Sequence, residues 1–144
     1  MNVKYKKLYS DVKLPTKATE GSAGYDLYAH ETAYIPAGET VVINTGFALE
    51  IPEGWKGEVY SRSGLASKGL VVANSPGKID SDYRGEIKII LRNTKREGLM
   101  GVEVGDRIAQ LEVNPCYPIV FEEVEELPPT KRGAGALGST ENDK

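Results

Sequence analysis

The chain has 144 residues, 18 of them basic and 21 acidic, for a formal net charge of −3. That length suits one domain able to bury roughly two-thirds of its unfolded surface, and the near-balanced charge, with no long basic run, argues against duplex binding driven by counterion release. A single cysteine, Cys116, excludes an internal disulfide, and a single histidine, His30, cannot join it in a zinc site of the usual kind.

Residues 1–7 are polar and lysine-rich, without the apolar centre of a signal peptide, and no apolar run reaches membrane length. A soluble, cytoplasmic globular protein is expected, with no membrane partner. Residues 3–9 alternate imperfectly and predict a first strand. A polar connection over 13–22 leads to a short strand at 23–29 that carries one carboxylate, Asp26. His30 stands among alternating strand residues, which disfavours a role in a Ser/His/Asp triad. A turn at 36–39 opens a long strand, 40–51, interrupted by Gly46. A second turn at 52–54 precedes a strand over 55–60. Residues 61–68 are too few for an independent helix and predict a loop with one helical turn.

Two apolar strands, 69–73 and 87–91, flank the segment 74–86, read as a central hairpin. Beyond them lie a glycine-punctuated loop over 95–106, an alternating strand over 107–113 and a last strand over 115–124. Many short strands, regular turns and no long helical period predict an all-β sandwich or barrel of about eleven strands. Its edges need covering. The expected domain is residues 1–129, followed by a flexible glycine-rich arm over 130–144.

Four segments exceed what turns and strands require. A chain reversal needs two to five small or polar residues, yet 74–86 adds Ile79, Asp80 and Tyr83. Taken singly, Asp80 and Asp82 read as ordinary turn residues that bond nearby amides. Arg62-Ser63-Gly64 offers a guanidinium, a hydroxyl and a glycine that lets backbone approach an anion. Gln110 is a polar residue in an otherwise alternating strand. The tail contains Gly133-Ala134-Gly135-Ala136-Leu137-Gly138, formally a dinucleotide fingerprint, but only six residues follow it, too few for the βαβ unit that motif needs. What remains is a flexible segment with exposed amides, Arg132 before it and Ser139 and Thr140 after it; it reads either as a disordered tail or as a segment that could close over phosphates.

In order, these four segments and the strand around Asp26 resemble the five motifs of the trimeric deoxyuridine triphosphatases (dUTPases). Ala23-Gly24-Tyr25-Asp26-Leu27 is similar to the first and Arg62-Ser63-Gly64-Leu65-Ala66 to the second. Residues 74–86 resemble the third almost residue for residue. Gly105-Asp106-Arg107-Ile108-Ala109-Gln110-Leu111 resembles the fourth, and Arg132-Gly133-Ala134-Gly135 with Gly138-Ser139-Thr140 the fifth. The resemblance implies a distorted jelly-roll β-barrel and a homotrimer whose active sites each draw motifs from all three subunits. It implies hydrolysis of dUTP to dUMP and pyrophosphate, keeping uracil out of DNA and supplying dUMP for dTMP synthesis. Asp80 would deprotonate and orient the attacking water and accept a bond from the sugar 3′-hydroxyl. Tyr83 would pack under the deoxyribose and leave no room for a 2′-hydroxyl. Backbone at Gly77, Lys78, Ile79 and Lys88, with the Asn74 side chain, would imitate a base-pairing partner for uracil. Asp26 would hold a triphosphate-bound Mg²⁺ through water. Arg62, Ser63, Gly64 and Gln110 would grip phosphates, Gln110 also standing near the attacking water. Arg132, Gly138 and Ser139 would clamp the γ-phosphate, with Leu137 covering the base.

Three positions depart from the family pattern. Ser61 stands where the second motif usually begins with proline, Ala136-Leu137 where Gly-Phe is usual, and Glu141 where a glycine follows the threonine. Leu137 can cover a base but offers no π-face. The related dCTP deaminases need a glutamate as proton shuttle after the hairpin, where this chain has the aliphatic Ile90, and a second serine where it has Gly64. A non-catalytic regulatory trimer and a plain structural jelly roll are the other readings. Neither explains the retained polar set.

Overall fold

Alternation along the long strands decides which face of each sheet is buried. In β8 (Glu86–Asn93), Ile87, Ile89 and Leu91 point inward while Lys88 and Arg92 face solvent, the period-two signature of a half-buried strand. The computed structural model describes residues 1–139. The other strands among them are β1 (Lys4–Lys7), β2 (Tyr25–Tyr28), β3 (Ala33–Pro36), β4 (Thr40–Glu50), β5 (Trp55–Tyr60), β6 (Leu70–Val72), β7 (Gly77–Ile79), β9 (Leu99–Val102) and β10 (Arg107–Pro115), with one helical turn, α1 (Ser63–Ala66).

Two four-stranded sheets, ordered β1-β4-β8-β6 and β2-β10-β5-β7, enclose one apolar core, and a β3–β9 ribbon closes one side. All pairings are antiparallel. Ile43, Phe47, Ile89 and Leu91 come from the first sheet, Leu27, Val59 and Leu111 from the second, and Ile35 and Val102 from the ribbon. This is the distorted jelly-roll barrel expected. Asn93, fully buried, ties the ribbon to the first sheet. Its amide donates to the carbonyls of Ile35 (2.8 Å) and Gly98 (3.1 Å), and its Oδ1 accepts the Lys95 N–H (3.0 Å). Every polar group that Asn93 buries therefore has a partner, as burial demands.

The segment 74–86 is not a simple hairpin. Its flanks do pair, Val72 with Leu91 in the first sheet, but the inserted β7 crosses to the second sheet and pairs with β5. The expected loop over 95–106 contains β9, whose glycines hid a short strand paired to β3. The expected strand over 115–124 does not form. Pro115 instead ends β10, opposite Trp55, Pro118 withholds a ladder donor, and Ile119, Val120 and Phe121 are 71%, 94% and 90% exposed.

The outer face of the second sheet carries a compensated charge. Glu58 is shielded by its neighbours' side chains: the Tyr60 hydroxyl donates to one oxygen, and the Lys56 ammonium stands 3.2 Å from the other. The Tyr60 bond first, and Lys56 second, hold the Glu58 carboxyl below its ordinary value, and the same bond pushes Tyr60 up to about 12. A carboxyl held low in the folded state stabilises it above the unfolded value of 4.5 and loses that contribution as pH falls. Glu58→Gln is therefore expected to flatten the acid limb of the stability–pH curve measured by urea unfolding. An unchanged limb would show that Glu58 is not coupled to folding.

Candidate active site

A bulge in β10 assembles the first group of polar residues. Arg107 pairs with Tyr28 and Ala109 with Leu27, so Ile108 is one residue too many. Ile108 and Ala109 are both buried, and the strand's alternation shifts by one. Arg107 and Gln110, three apart, thereby oppose Tyr28 and Asp26, which share one face of β2. Without the bulge, one of the two would point into the core.

On that face Asp26 stands between two guanidiniums. Arg62 Nε lies 3.1 Å from Oδ1 and Arg107 Nη1 3.4 Å from Oδ2, with the carboxylate side chain 13% exposed. Arg62 also donates through Nη1 to the Arg107 carbonyl (3.0 Å), which fixes the fork. Two cations around one anion leave a net positive charge, suited to a phosphate. Ser63 and Gly64 follow Arg62 in α1, exposed beside it. Gln110 donates from Nε2 to the Ser61 carbonyl (3.0 Å). A Cβ at Gly24 would meet Gln110 Oε1 at 2.8 Å and its Cβ at 3.3 Å, so only glycine leaves this side chain room.

A second group forms where β7 leaves the sheet. Lys78, Ile79, Asp80, Tyr83, Glu86, Ile87 and Lys88 line a cavity of about 200 Å³. Tyr83 N–H donates to the Asp80 carbonyl (3.2 Å), a tight turn, and the Tyr83 hydroxyl donates to the Glu86 carbonyl (2.9 Å). The phenol end of the ring lies against Gly85, where a Cβ would fall 2.5 Å from Cζ. Glu86 is tied in turn to a bulge in β4, accepting the Gly46 N–H at 2.9 Å. Because β7 is an edge strand, its outer amides and carbonyls have no ladder partner.

The two groups do not meet in one copy. Gln110 pairs with Tyr60, whereas Ile79 pairs with Gly57 on the opposite side of β5. Strand rise and spacing put their Cα atoms roughly 14 Å apart. Asn74 and Gly77, expected beside the base, abut each other outside the cavity lining. In the tail, Arg132 Nε donates to the Gly135 carbonyl (2.9 Å), Ser139 N–H donates to the Ala136 carbonyl (3.1 Å), and Gly138 and the fully exposed Leu137 touch neither group. Leu137 has φ 33°, an uncommon conformation for a branched side chain. Thr140 and Glu141 lie outside the described residues. Gly24 and Arg107 stand in the motifs without a role that the sequence reveals, as does Gly85 within 74–86. Their spacing is ordinary, and only the close contacts reveal what they do. His30, stacked on Tyr9 at 4.8 Å, belongs to neither group.

An all-β barrel with a cationic cluster and a hairpin-walled cavity of this size belongs to the class of proteins that bind small phosphorylated molecules. A family model described as dUTPase matches residues 10–141. The chain is 48% identical to a deoxyuridine 5′-triphosphate nucleotidohydrolase from Clostridioides difficile, covering 96% of this chain and 97% of that one. It is 45% identical to another from Nautilia profundicola, covering 97% and 99%. Among solved structures it resembles a dUTPase of Staphylococcus bacteriophage 80alpha bound to dUpNHpp, with a TM-score of 0.87, 31% identity and coverage of 96% and 98%. It also resembles a dUTPase from phage phi11 of S. aureus, described as coordinating a structural Mg(II) ion, with a TM-score of 0.80, 29% identity and coverage of 88% and 98%. The chain belongs to the dUTPase family.

The contact between Tyr83 and Gly85 makes a direct test. Gly85→Ala is expected to break the Tyr83–Glu86 bond and lift the ring, visible in a crystal structure. In urea unfolding it should cost about 1–3 kcal/mol from overpacking and the lost bond.

Proposed function

We propose that this chain hydrolyses dUTP to dUMP and pyrophosphate at sites that two or more copies build together. The observation that carries this reading is the separation of the two groups across β5: the water-activating Asp80 and the phosphate-binding cluster are each well formed, and they line separate cavities of one copy. A homotrimer of the family's kind brings one copy's hairpin to another's cluster. The bare apolar segment 117–121 supports self-association, since exposed side chains of that size in a row ask for a cover.

In the assembled site the base enters the hairpin cavity. Free backbone groups along Lys78, Ile79 and Lys88 present a fixed donor and acceptor pattern. Uracil satisfies that pattern, while cytosine, with the opposite pattern, leaves buried groups unpaired. Tyr83, held by Glu86 over Gly85, walls the sugar and refuses a 2′-hydroxyl. Asp80, exposed at the cavity mouth, accepts a proton from water and aims it in line at the α-phosphate. Arg62, Ser63, Gly64 and Gln110 hold the phosphates. The tail, with Arg132, Leu137, Gly138 and Ser139, closes over them and excludes bulk water. Barrel residues 1–129 and arm 130–144 divide these tasks. Such an enzyme would work in the cytoplasm, where deoxynucleotides are made.

Asp26 would hold Mg²⁺ through water once Arg62 and Arg107, which now occupy its two oxygens, turn to the phosphates. It is a carboxylate already positioned by Arg62 and Arg107. Among the described residues no group of three or more His, Cys, Asp or Glu side chains gathers to cage an ion. Asp26 would leave the rest of the coordination sphere of such an ion to water and phosphate, as Mg²⁺ prefers. Bound, it neutralises charge on the triphosphate. Deaminase chemistry finds no proton shuttle at Ile90, an aliphatic residue in β8.

Pyrophosphate release from dUTP, with dCTP, dTTP and UTP as controls, is expected only with dUTP and to fall sharply in EDTA. Asp80→Asn should lower kcat by about 10²–10⁴-fold. Mixing Asp80→Asn with Arg62→Ala subunits, each inactive alone, is expected to restore roughly a quarter of the sites, because random assembly puts an intact hairpin beside an intact cluster. Complementation that fails, under proven subunit exchange, would return both groups to one copy. Leu137→Phe should lower KM for dUTP by adding a stacking face, and an unchanged kcat/KM would mean the tail does not cover the base.

A further inference from the structure

Ser61 lies between β5 and α1 and uses all three of its polar groups on three different segments. Its carbonyl accepts the Gln110 side-chain N–H (3.0 Å) from β10. Its hydroxyl oxygen accepts the Val72 N–H (2.8 Å), on the edge of β6 that faces away from β8. Its own N–H donates to Ser75 Oγ (3.2 Å), at the start of the segment that leads into β7. Residue 61 therefore links the second sheet, the first sheet and the approach to the hairpin. A proline there, as the family usually has, could supply only the carbonyl. The other two links belong to this chain.

We propose that Ser61 is a positioning residue for Gln110. The Ser61 carbonyl and the Arg62 N–H share one rigid peptide plane, so the hydroxyl bond to Val72 and the N–H bond to Ser75 set the direction of both. With the plane fixed, Gln110 Nε2 has one acceptor to reach, and Oε1 is pressed against the bare Cα of Gly24. The side chain is thus held from both ends of its amide, and the residue that faces the attacking water does not rotate. Loss of the hydroxyl frees the plane and leaves the Val72 N–H without its partner. Val72 is 4% exposed, so water does not readily replace that bond.

This inference rests on the proposed role of Gln110 and is tested so that the two can fail separately. Steady-state kinetics with dUTP are compared for wild type, Ser61→Ala, Ser61→Thr, Gln110→Ala and the Ser61→Ala/Gln110→Ala double variant. Ser61→Ala is expected to lower kcat about fivefold, the effect of one hydrogen bond, with KM within about twofold. Ser61→Thr, which keeps the hydroxyl, restores kcat, and Ser61→Ala has no further effect once Gln110 is gone. Wild-type kcat in Ser61→Ala overturns the proposal. So does an equal loss in the Gln110→Ala background, because Ser61 would then act on the fold and not through Gln110. Wild-type kcat in Gln110→Ala overturns the assignment of Gln110, and this inference with it. If Ser61→Ala does not fold, Ser75→Ala, which removes only the acceptor of the Ser61 N–H, must give the same split between kcat and KM.

Discussion

Strand β5 keeps the two halves of the chemistry apart. On one side it holds β10, with Gln110 opposite Tyr60; on the other it holds β7, with Ile79 opposite Gly57. Strand spacing and rise are set by backbone hydrogen bonding and do not adjust to a substrate. In one copy the hairpin and the guanidiniums therefore line separate cavities. The barrel presents the two groups as separate surfaces on either side of that strand.

Within each group, order comes from close approach more than from electrostatics. The Tyr83 ring sits where it does because Gly85 has no Cβ and the Glu86 carbonyl accepts its hydroxyl. Gln110 is confined by Gly24 and the Ser61 carbonyl. The charged cluster is different in kind. Asp26 keeps Arg62 and Arg107 close together at a spacing that would otherwise repel, and a triphosphate can take up the charge they have in excess. Hydrolysis at such a site depends on placing water, phosphate and cations correctly, with little covalent work for the protein.

Most of the strands were legible because their signal is local. Residues 55–60 form β5 with no change of bounds, and the long strand broken at Gly46 is β4 with a bulge at that glycine. β9 was missed because glycine spacing reads as loop. The strand expected over 115–124 was misread for the opposite reason: an apolar run reads as buried strand, yet Ile119, Val120 and Phe121 are exposed. The hairpin was half legible. Its flanks pair as their apolar pattern suggests, but nothing local says that β7 crosses to the other sheet.

The motif residues were legible as a set because their types and order are written along the chain: a carboxylate in a strand, an Arg-Ser-Gly turn, the acidic and aromatic hairpin, a glutamine and a glycine-rich tail. By itself, then, the sequence determined the all-β class, the family and the chemistry each motif can offer. Only the tertiary structure decided which of those residues meet. Contacts between Asp26 and Arg107, Ser61 and Gln110, or Gly46 and Glu86 span tens of residues, and their geometry depends on sheet register and on one-residue bulges. A single-residue shift in register turns a side chain from the site into the core, and no local pattern of residue types records that choice.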